Sequence, residues 1–533
     1  MTPALMLTGG AVIILSIIAG RVSGKIGVPA LLAFIVLGML FGTDGIFKIP
    51  FDDYAFSEDI CVTALIFIMF YGGFGTKWSA AKPVALPSVL LSSVGVIITA
   101  VLTGLFCRAV FGLELSEGML IGSVLASTDA ASVFSVLRSN RLSLKYGTDS
   151  MLELESGSND PFAYMLTLII IEVTSRGISG GYMIFMVVRE IAAGAACGAA
   201  VAFCAAAFLK KFTFGSDGMA SVFMIAAALI GYALPTAIGG NGFLSVYILG
   251  IILGNIKIEN KKPLVHFFDG ITGLMQITVF FLLGLLSTPS EIPKTLILSV
   301  GVFLFLLIIA RPVSVAALLL PFKAKPNQIA LVSWAGLRGA ASIVFAILVT
   351  LSDAANGSDV FHVTLTVVLL SIAVQGTLLP YAAKRLNMID ESGDVMKTFS
   401  DYSDDDNIQF IRLDINDGHK WIGKSIKEIS LIPGMLVVLI RRGKTPILPN
   451  GNTVIEEGDV AVLSASGYRD GGESITIRET EITPHHKWNG KRVSELGLKN
   501  NTLLLMIRRG GGTVIPRGDT VLCSHDIVIE GRI

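Results

Sequence analysis

The chain has 533 residues, of which 53% are hydrophobic and only 15% charged, and its mean hydropathy is +0.72. Soluble proteins carry about 25% charged residues, so this composition indicates a membrane protein. The 41 basic and 41 acidic residues balance, which argues against nucleic acid as a partner.

Apolar segments recur along the first 390 residues. A transmembrane helix needs about 20 mostly apolar residues. The segments that meet this requirement predict thirteen transmembrane helices, at about 3–20, 27–43, 60–76, 85–107, 117–138, 150–173, 182–209, 218–236, 241–256, 267–287, 295–321, 327–351 and 360–383. No basic stretch precedes the first segment, so we expect it to remain as a membrane helix and not to act as a cleaved signal peptide.

The charges between these segments predict their orientation. Cytoplasmic loops are enriched in Lys and Arg. The odd-numbered loops and the end of segment thirteen carry sixteen basic residues, whereas the even-numbered loops carry four. We therefore expect the N-terminus outside and the C-terminus in the cytoplasm. The expected location is the plasma (inner) membrane of a bacterium.

The odd number of segments fits two inverted halves, segments one to six and eight to thirteen. Transporters built in this way place their site where interrupted helices cross at mid-membrane. Segments five and twelve are interrupted at matching depth, by Ser127–Asp129 and by Gly336–Gly339. The predicted fold is an all-α polytopic membrane protein with two inverted six-helix repeats and crossed broken helices, followed by small cytoplasmic α/β domains.

The composition becomes that of a soluble protein after segment thirteen. It contains a repeat, because an offset of 67 residues aligns His419–Lys424 with His486–Lys491, and Ile440–Gly443 with Ile507–Gly510. In the first copy we expect a strand, a short helix and two further strands, at 410–413, 425–429, 435–441 and 459–464. The predicted domains are a transmembrane domain (1–386), an acidic linker (387–407) and two small domains (408–470 and 471–533).

One stretch of the tail, residues 418–425, matches the phosphate-loop pattern of ATPases. Only a short helix can follow it, and the second copy has His485 and Arg492 at the decisive positions. We therefore interpret the match as coincidental.

Polar side chains concentrate in segment six. Ionisable groups within a membrane cost free energy unless they are paired or solvated, so each is a candidate functional residue. Ser156, Asn159 and Asp160 share one helix face, and Glu155 lies beside it. Their oxygen atoms suit a hard, dehydrated monovalent cation, and the segments contain no His or Cys cluster suited to a transition metal.

These residues predict competition between two ions. Burial disfavours the charged form of a carboxylate, whereas a bound cation favours it. Asp160 would then hold a proton or a cation but not both, and alternating exposure would couple opposite fluxes without ATP. In segment five, Asp129 would compensate the free N–H groups of a broken helix while Thr128 faces the ion. The alternative is a static network of Asp129, Glu155, Asp160 and Arg338 that stabilises the fold.

Three motifs in order, Ser127–Asp129, Glu155–Pro161 and Gly336–Ala340, resemble those of the NhaP-type cation/proton antiporters in the CPA1 branch of the sodium/proton exchangers. The resemblance covers residues 1 to about 386. It implies thirteen membrane helices, a homodimer, and a structural ion pair of Glu155 with Arg338. It also implies an ion site on Asp160, helped by Ser156 and Thr128; the full predicted ion and proton site adds Asn159 and Asp129.

The same resemblance implies electroneutral exchange, because Asn159 stands where electrogenic relatives have a second acid. Some relatives also contribute an acid from segment three, where this chain has Tyr71, Gly72 and Gly73. The choice between K⁺ and Na⁺ therefore stays open. The expected function is exchange of cytoplasmic K⁺ or Na⁺ for external protons, and the alternative is Na⁺/H⁺ exchange with a purely structural tail.

The repeated tail resembles two copies of the C-terminal subdomain of potassium-conductance regulators (RCK_C, or TrkA-C). This implies regulation by a small-molecule effector such as a cyclic dinucleotide (c-di-AMP), with simple dimerisation as the alternative. We expect no cofactor and no enzymatic activity. A gated channel would show a carbonyl-lined filter, and a membrane protease would need a nucleophile and a base, whereas His362 has no evident partner in the sequence.

Overall fold

The chain forms two compact units, Met1–Tyr402 and Ser403–Ile533. The computed structural model describes residues 3–26, 29–139, 142–212, 217–256, 261–355, 359–390, 408–416, 419–429, 431, 435–443, 445–466, 476–484, 486–498, 502–509, 512–514 and 516–532. Most of the predicted linker, together with Gly418, His485 and Gly510, lies outside these residues. The predicted domain limits stay predictions.

Helices make up the described part of the first unit. They are α1 (Pro3–Ile26), α2 (Ala30–Phe41), α3 (Tyr54–Gly75), α4 (Trp78–Ala81), α5 (Ala85–Ser92), α6 (Val94–Phe111), α7 (Leu115–Val124), α8 (Ala130–Ser139), α9 (Thr148–Arg176), α10 (Gly180–Lys211), α11 (Asp217–Ala237), α12 (Gly242–Asn255), α13 (Lys261–Leu286), α14 (Ile292–Phe305), α15 (Arg311–Leu319), α16 (Pro326–Trp334), α17 (Ala340–Leu351), α18 (Val360–Leu370) and α19 (Thr377–Arg385). Short 3-10 or π-helical turns make Trp78–Phe111, Pro289–Phe322 and Val360–Arg385 continuous.

Eight of the described helical segments are long and apolar enough to cross a membrane. Helix is also present in each of the thirteen predicted segments. This confirms the all-α polytopic fold. Thirteen crossings stay a prediction, because the apolar helices α2, α7, α12 and α17 are shorter than a bilayer requires.

Segments five and twelve are broken, as predicted. Helix α7 ends at Val124 and α8 begins at Ala130, while α16 ends at Trp334 and α17 begins at Ala340. The two breaks cross, since the Asp129 N–H donates to the Leu337 carbonyl oxygen at 2.7 Å. The crossing requires glycine at position 339, because a Cβ there would lie 2.4 Å from the Asp129 Cβ.

Two pairs of helices pack backbone to backbone through glycine. Between α2 and α13, a Cβ on Gly38 would lie 2.1 Å from the Phe281 carbonyl oxygen. Between α3 and α12, a Cβ on Gly73 would lie 2.4 Å from the Tyr247 carbonyl oxygen. The predicted inverted halves relate segment two to nine and three to ten, so each contact is the symmetry counterpart of the other.

The second unit contains two four-stranded antiparallel sheets. The first has the order β1-β4-β2-β3 and the second β5-β8-β6-β7. The strands are β1 (Ile408–Asp414), β2 (Met435–Arg442), β3 (Thr445–Ile447), β4 (Asp459–Ser466), β5 (Thr476–Glu481), β6 (Thr502–Arg509), β7 (Gly512–Val514) and β8 (Ile527–Arg532). A bulge between Val437 and Leu439 recurs 67 residues later, between Leu504 and Met506. The repeat is therefore confirmed.

Two local predictions for the tail were incomplete. The helix expected at 425–429 is one 3-10 turn, Ile426–Glu428, because Ser425 and Glu428 close a capping box and Ile429 is extended. Strand β3 was not predicted. A phosphate loop leads into a full helix, so the single turn agrees with the rejection of an ATPase.

Candidate functional site

The break between α7 and α8 places polar side chains against the middle of α9. The Ser127 hydroxyl donates to Asp160 Oδ1. Asp160 is partly exposed, and it lines a cavity together with Ser127, Thr128, Asp129 and residues of α3, α13 and α17. Asp160 thus has access to an internal space at the crossing of the two breaks.

A buried network of neutral groups lies beside this carboxylate. The Thr128 and Ser156 hydroxyl oxygens are 3.1 Å apart, and Asn159 Nδ2 donates to Thr128 Oγ1 at 2.5 Å. All three side chains are at most 5% exposed. The structure therefore places Thr128, from the break in segment five, against Ser156 and Asn159 on the face of α9 that also carries Asp160.

Asp129 points to the start of α8. Its Oδ1 accepts from the Ser132 N–H at 3.3 Å, and its Oδ2 accepts from the Ser132 hydroxyl. This is the geometry of a helix N-cap, which satisfies free N–H groups and places negative charge at the positive end of the helix dipole. The contact agrees with the predicted dipole compensation, and a direct role of Asp129 in ion binding stays a prediction.

The predicted ion pair of Glu155 with Arg338 is wrong. Glu155 pairs with Arg311, whose Nη2 lies 2.6 Å from Glu155 Oε1, and both side chains are at most 5% exposed. Arg338 Nη1 instead donates to the carbonyl oxygens of Ala126 and Ser127, at 3.1 and 2.9 Å. The physical reason is the break itself, because Ala126 and Ser127 lie outside both helices and their backbone carbonyl groups need other donors.

Sequence reasoning missed two residues that contact the site. Arg311 lies in an apolar segment. Because a charge buried in the membrane costs free energy unless it is paired, this position could have indicated a buried partner for Glu155. Ser127 was part of a motif but was not assigned to Asp160. Its position within the predicted break could have indicated this contact.

Other buried polar groups support the surrounding helices. Glu153 of α9 accepts from the Thr76 hydroxyl at 3.0 Å. Asn241 caps α12 through the Leu244 N–H at 2.9 Å, and its Nδ2 donates to the Pro161 carbonyl oxygen at 2.9 Å. These bonds fix α9 on both sides of Asp160.

His362 has partners, contrary to expectation. Its Nδ1 lies 2.7 Å from Asp359 Oδ2, and its Nε2 accepts from the Thr288 N–H at 3.1 Å. Both ring nitrogens are engaged at the start of α18, which leaves the histidine in a structural position.

The ligand types at the site suit an alkali cation. Carboxylate, hydroxyl and amide oxygens are hard ligands. Among the described residues, no group of three or more His, Cys, Asp or Glu side chains is arranged to hold a metal ion. The described residues thus bring one carboxylate, that of Asp160, together with neutral hydroxyl and amide groups.

Both parts of the chain match known protein families. Residues 11–385 match the model of the transmembrane sodium/hydrogen exchanger family, and residues 410–467 and 477–529 match the TrkA-C domain. The K(+)/H(+) antiporter NhaP2 of Shewanella baltica is 32% identical over 467 residues, which cover 85% of this chain and 79% of that protein. The K(+)/H(+) antiporter NhaP of Alkalimonas amylolytica is 33% identical over 391 residues, covering 73% of this chain and 68% of that protein.

A solved structure shares the fold. The sodium proton antiporter MjNhaP1 of Methanocaldococcus jannaschii matches with a TM-score of 0.64 and 21% identity, over 72% of this chain and 99% of that chain. The chain therefore belongs to the sodium/hydrogen exchanger family, as a multi-pass membrane cation/proton antiporter that carries two TrkA-C domains.

Proposed function

We propose that the protein exchanges cytoplasmic K⁺ for external protons, and that Asp160 holds either ion in turn. The observation that carries the proposal is the setting of Asp160: it faces a cavity at the crossed breaks and accepts from the neutral Ser127 hydroxyl. Among the described residues, no basic side chain forms an ion pair with it. A carboxylate without a fixed counter-charge is free to take up a proton or a cation.

The neighbouring groups favour a one-for-one exchange. Thr128, Ser156 and Asn159 are neutral, so only one site charge changes when a cation replaces a proton. Alternating access would carry Asp160 to each side of the membrane in either loaded state. The net charge moved per cycle is then zero, and the exchange is electroneutral.

The preference for K⁺ is supported by the names of the Shewanella and Alkalimonas relatives, which are K(+)/H(+) antiporters. Na⁺/H⁺ exchange is the alternative, in line with the name of the structural neighbour. Tyr71, Gly72 and Gly73 stand in the segment from which some relatives supply an acid, and the Tyr71 hydroxyl donates to Asp269 Oδ1 at 3.2 Å. Of the two acids that line the cavity, Asp129 accepts from Ser132 at the start of α8, which leaves Asp160 as the acid that would exchange ions.

The proposal extends to the assembly, location and regulation of the protein. It would act as a homodimer in the plasma (inner) membrane, with its N-terminus outside and its C-terminus in the cytoplasm. The TrkA-C domains would regulate exchange by binding a small effector, such as a cyclic dinucleotide. The protein would need no cofactor and would catalyse no chemical reaction.

Everted membrane vesicles with a pH-sensitive dye test the transport proposal. Adding K⁺, Na⁺, Li⁺ or Rb⁺ in turn to vesicles that hold a proton gradient should release protons, most strongly with K⁺. Asp160→Asn should abolish the release, whereas Asp59→Asn, which removes an exposed acid on α3, should not. Cation flux that persists in Asp160→Asn, or conductance that needs no proton gradient, would contradict exchange at Asp160 and favour a channel.

A further inference from the structure

A second cavity, of about 460 Å³, lies at one end of the membrane unit and does not share residues with the ion site. It is formed by the start of α5, the turn before α9, and the connection from α15 to α16. The lining residues are Pro83, Val84, Leu86, Pro87, Tyr146, Met151, Leu319, Phe322, Lys323, Ala324, Lys325 and Gln328. None of them is acidic.

The lining divides into an apolar wall and a basic rim. Leu86, Met151 and Leu319 contribute the wall, and Lys323 and Lys325 contribute the rim. Such a combination of hydrocarbon and cationic surface at the end of membrane helices suits an amphiphilic anion. The rim also lies on the side where the distribution of Lys and Arg predicts the cytoplasm.

The rim is held in place by a specific contact. Lys325 Nζ donates to the Tyr146 hydroxyl at 3.1 Å and lies 4.4 Å from the centre of the Tyr146 ring. Tyr146 and Lys323 both adopt left-handed backbone conformations, with φ of 63° and 56°. This conformation is uncommon for non-glycine residues, and at Lys323 it ends the preceding 3-10 turn, Leu320–Phe322.

We propose that this cavity binds a phosphate group, which Lys323, Lys325 and the Tyr146 hydroxyl would contact. The phosphate could belong to an anionic phospholipid or be free in solution, and the apolar wall favours the lipid. Basic pockets between membrane helices on the cytoplasmic side recognise lipid headgroups by this chemistry.

The ligand would stabilise the helix that carries the ion site. Gln328 of α16 donates through Nε2 to the hydroxyl of Thr148, the first residue of α9, at 3.3 Å. A phosphate on the rim would thus join the α15–α16 connection to the start of α9. The inference does not depend on which ions are exchanged.

The test uses the full chain in detergent, with phosphatidylglycerol, phosphatidylcholine or inorganic phosphate as probes. Native mass spectrometry would measure bound lipid, and the thermal midpoint would measure stabilisation. The test variant is Lys323→Asn with Lys325→Gln, because Asn tolerates a left-handed backbone. The control, Lys210→Asn with Lys211→Gln, removes two exposed lysines at the end of α10, also in a predicted cytoplasmic loop.

We expect phosphatidylglycerol to bind and stabilise the wild type more than phosphatidylcholine does. The test variant should bind it roughly 30-fold more weakly, since each lysine near an anionic headgroup contributes a factor of about five; the control should match the wild type. Stabilisation by inorganic phosphate alone would support the site and identify the soluble source.

Two results would overturn the proposal: equal binding of the two lipids without any effect of phosphate, or unchanged phosphatidylglycerol binding in the test variant. If that variant does not fold, Tyr146→Phe keeps the ring and removes the hydroxyl that positions Lys325. It should weaken binding roughly threefold to tenfold, and unchanged binding would equally overturn the proposal. Because neither measurement involves transport, failure here leaves exchange at Asp160 unaffected.

Discussion

Acidic side chains in the tail and in the membrane unit are held in opposite ways. In the tail, Asp459 accepts two hydrogen bonds from the Arg442 guanidinium, at 2.8 and 2.9 Å, and the second copy repeats this arrangement. In the membrane, Asp160 accepts from the neutral Ser127 hydroxyl. A fixed arginine commits a carboxylate to its charged form, whereas a neutral donor leaves the proton free to exchange.

Location in the membrane does not by itself explain why Asp160 has no arginine partner among the described residues. Glu155 lies five residues before Asp160 on the same helix, and it pairs with Arg311 at 2.6 Å. Two acids of helix α9 thus differ: Glu155 has a fixed counter-charge, whereas none of the described basic residues pairs with Asp160. The difference between them comes from the residues that the neighbouring helices place opposite each acid.

The largest expected effect on stability comes from removing the buried counter-charge of Glu155. Arg311→Ala should lower the free energy of unfolding by about 3–5 kcal/mol, because it leaves Glu155 charged and unpaired. Chemical unfolding in detergent would measure this. Arg176→Ala is the matched control, because its pair with Glu172 is exposed at the end of α9 and should contribute only about 0–1 kcal/mol.

Double-mutant cycles distinguish the two arginines. Glu155 and Arg311 should show a coupling energy of about 1–3 kcal/mol, and Glu155 with Arg338 much less. A larger coupling to Arg338 would restore the pair that the sequence suggested and contradict the observed geometry.

The tail pair should contribute less, because water can reach it. Arg442 is about one-third exposed, so Arg442→Ala should cost about 1–2 kcal/mol. Hydrogen exchange of the full chain would show faster exchange in β2 and β4. Arg509→Ala should affect β6 and β8 and leave β2 unchanged; loosening of both sheets by either variant would show that the two copies are not independent.

The same pairs predict how the tail responds to pH. Hydrogen bonds from Arg442 and Arg509 hold the pKa values of Asp459 and Asp526 below their usual range. The folded pKa is therefore below the unfolded value of about 3.9, so the stabilisation is complete above that value and lost as the pH falls through the folded pKa. Hydrogen exchange, corrected for its intrinsic pH dependence, should show loosening only below about pH 4. Loosening near neutral pH would contradict this assignment.

Replacing Asp160 should not lower the stability of the protein, in contrast to replacing Arg311. Because none of the described arginines pairs with Asp160, Asp160→Asn removes a costly charge and breaks no ion pair that the structure describes. We expect the thermal midpoint in detergent to be unchanged or slightly higher than in the wild type. A loss of stability similar to that of Arg311→Ala would place Asp160 in a static network.

The sequence was most informative where polar residues interrupt apolar segments. Ser127–Asp129 and the polar face of α9 are conspicuous because the membrane penalises such residues. The breaks in segments five and twelve followed from the same signal. The repeat in the tail could be recognised because equivalent residues, such as Arg442 and Arg509, lie 67 residues apart within aligned strands.

The ion-pair partners and strand β3 could not be predicted, because they depend on packing that a single sequence does not reveal. Opposite charges within the membrane indicate that a pair exists, but not which arginine reaches Glu155. Arg338 contacts carbonyl groups in the break between α7 and α8, and a different helix brings Arg311 to Glu155. Strand β3 has three residues including Pro446, too few for an alternating pattern to indicate a strand.

The central claim is that a cation and a proton exclude each other on Asp160, and proton release on cation binding tests it most directly. Adding K⁺ to the detergent-purified protein in weak buffer with a pH indicator should release about one proton for each K⁺ bound, and Asp160→Asn should release none. Binding of K⁺ without proton release, or equal release from the variant, would contradict the account.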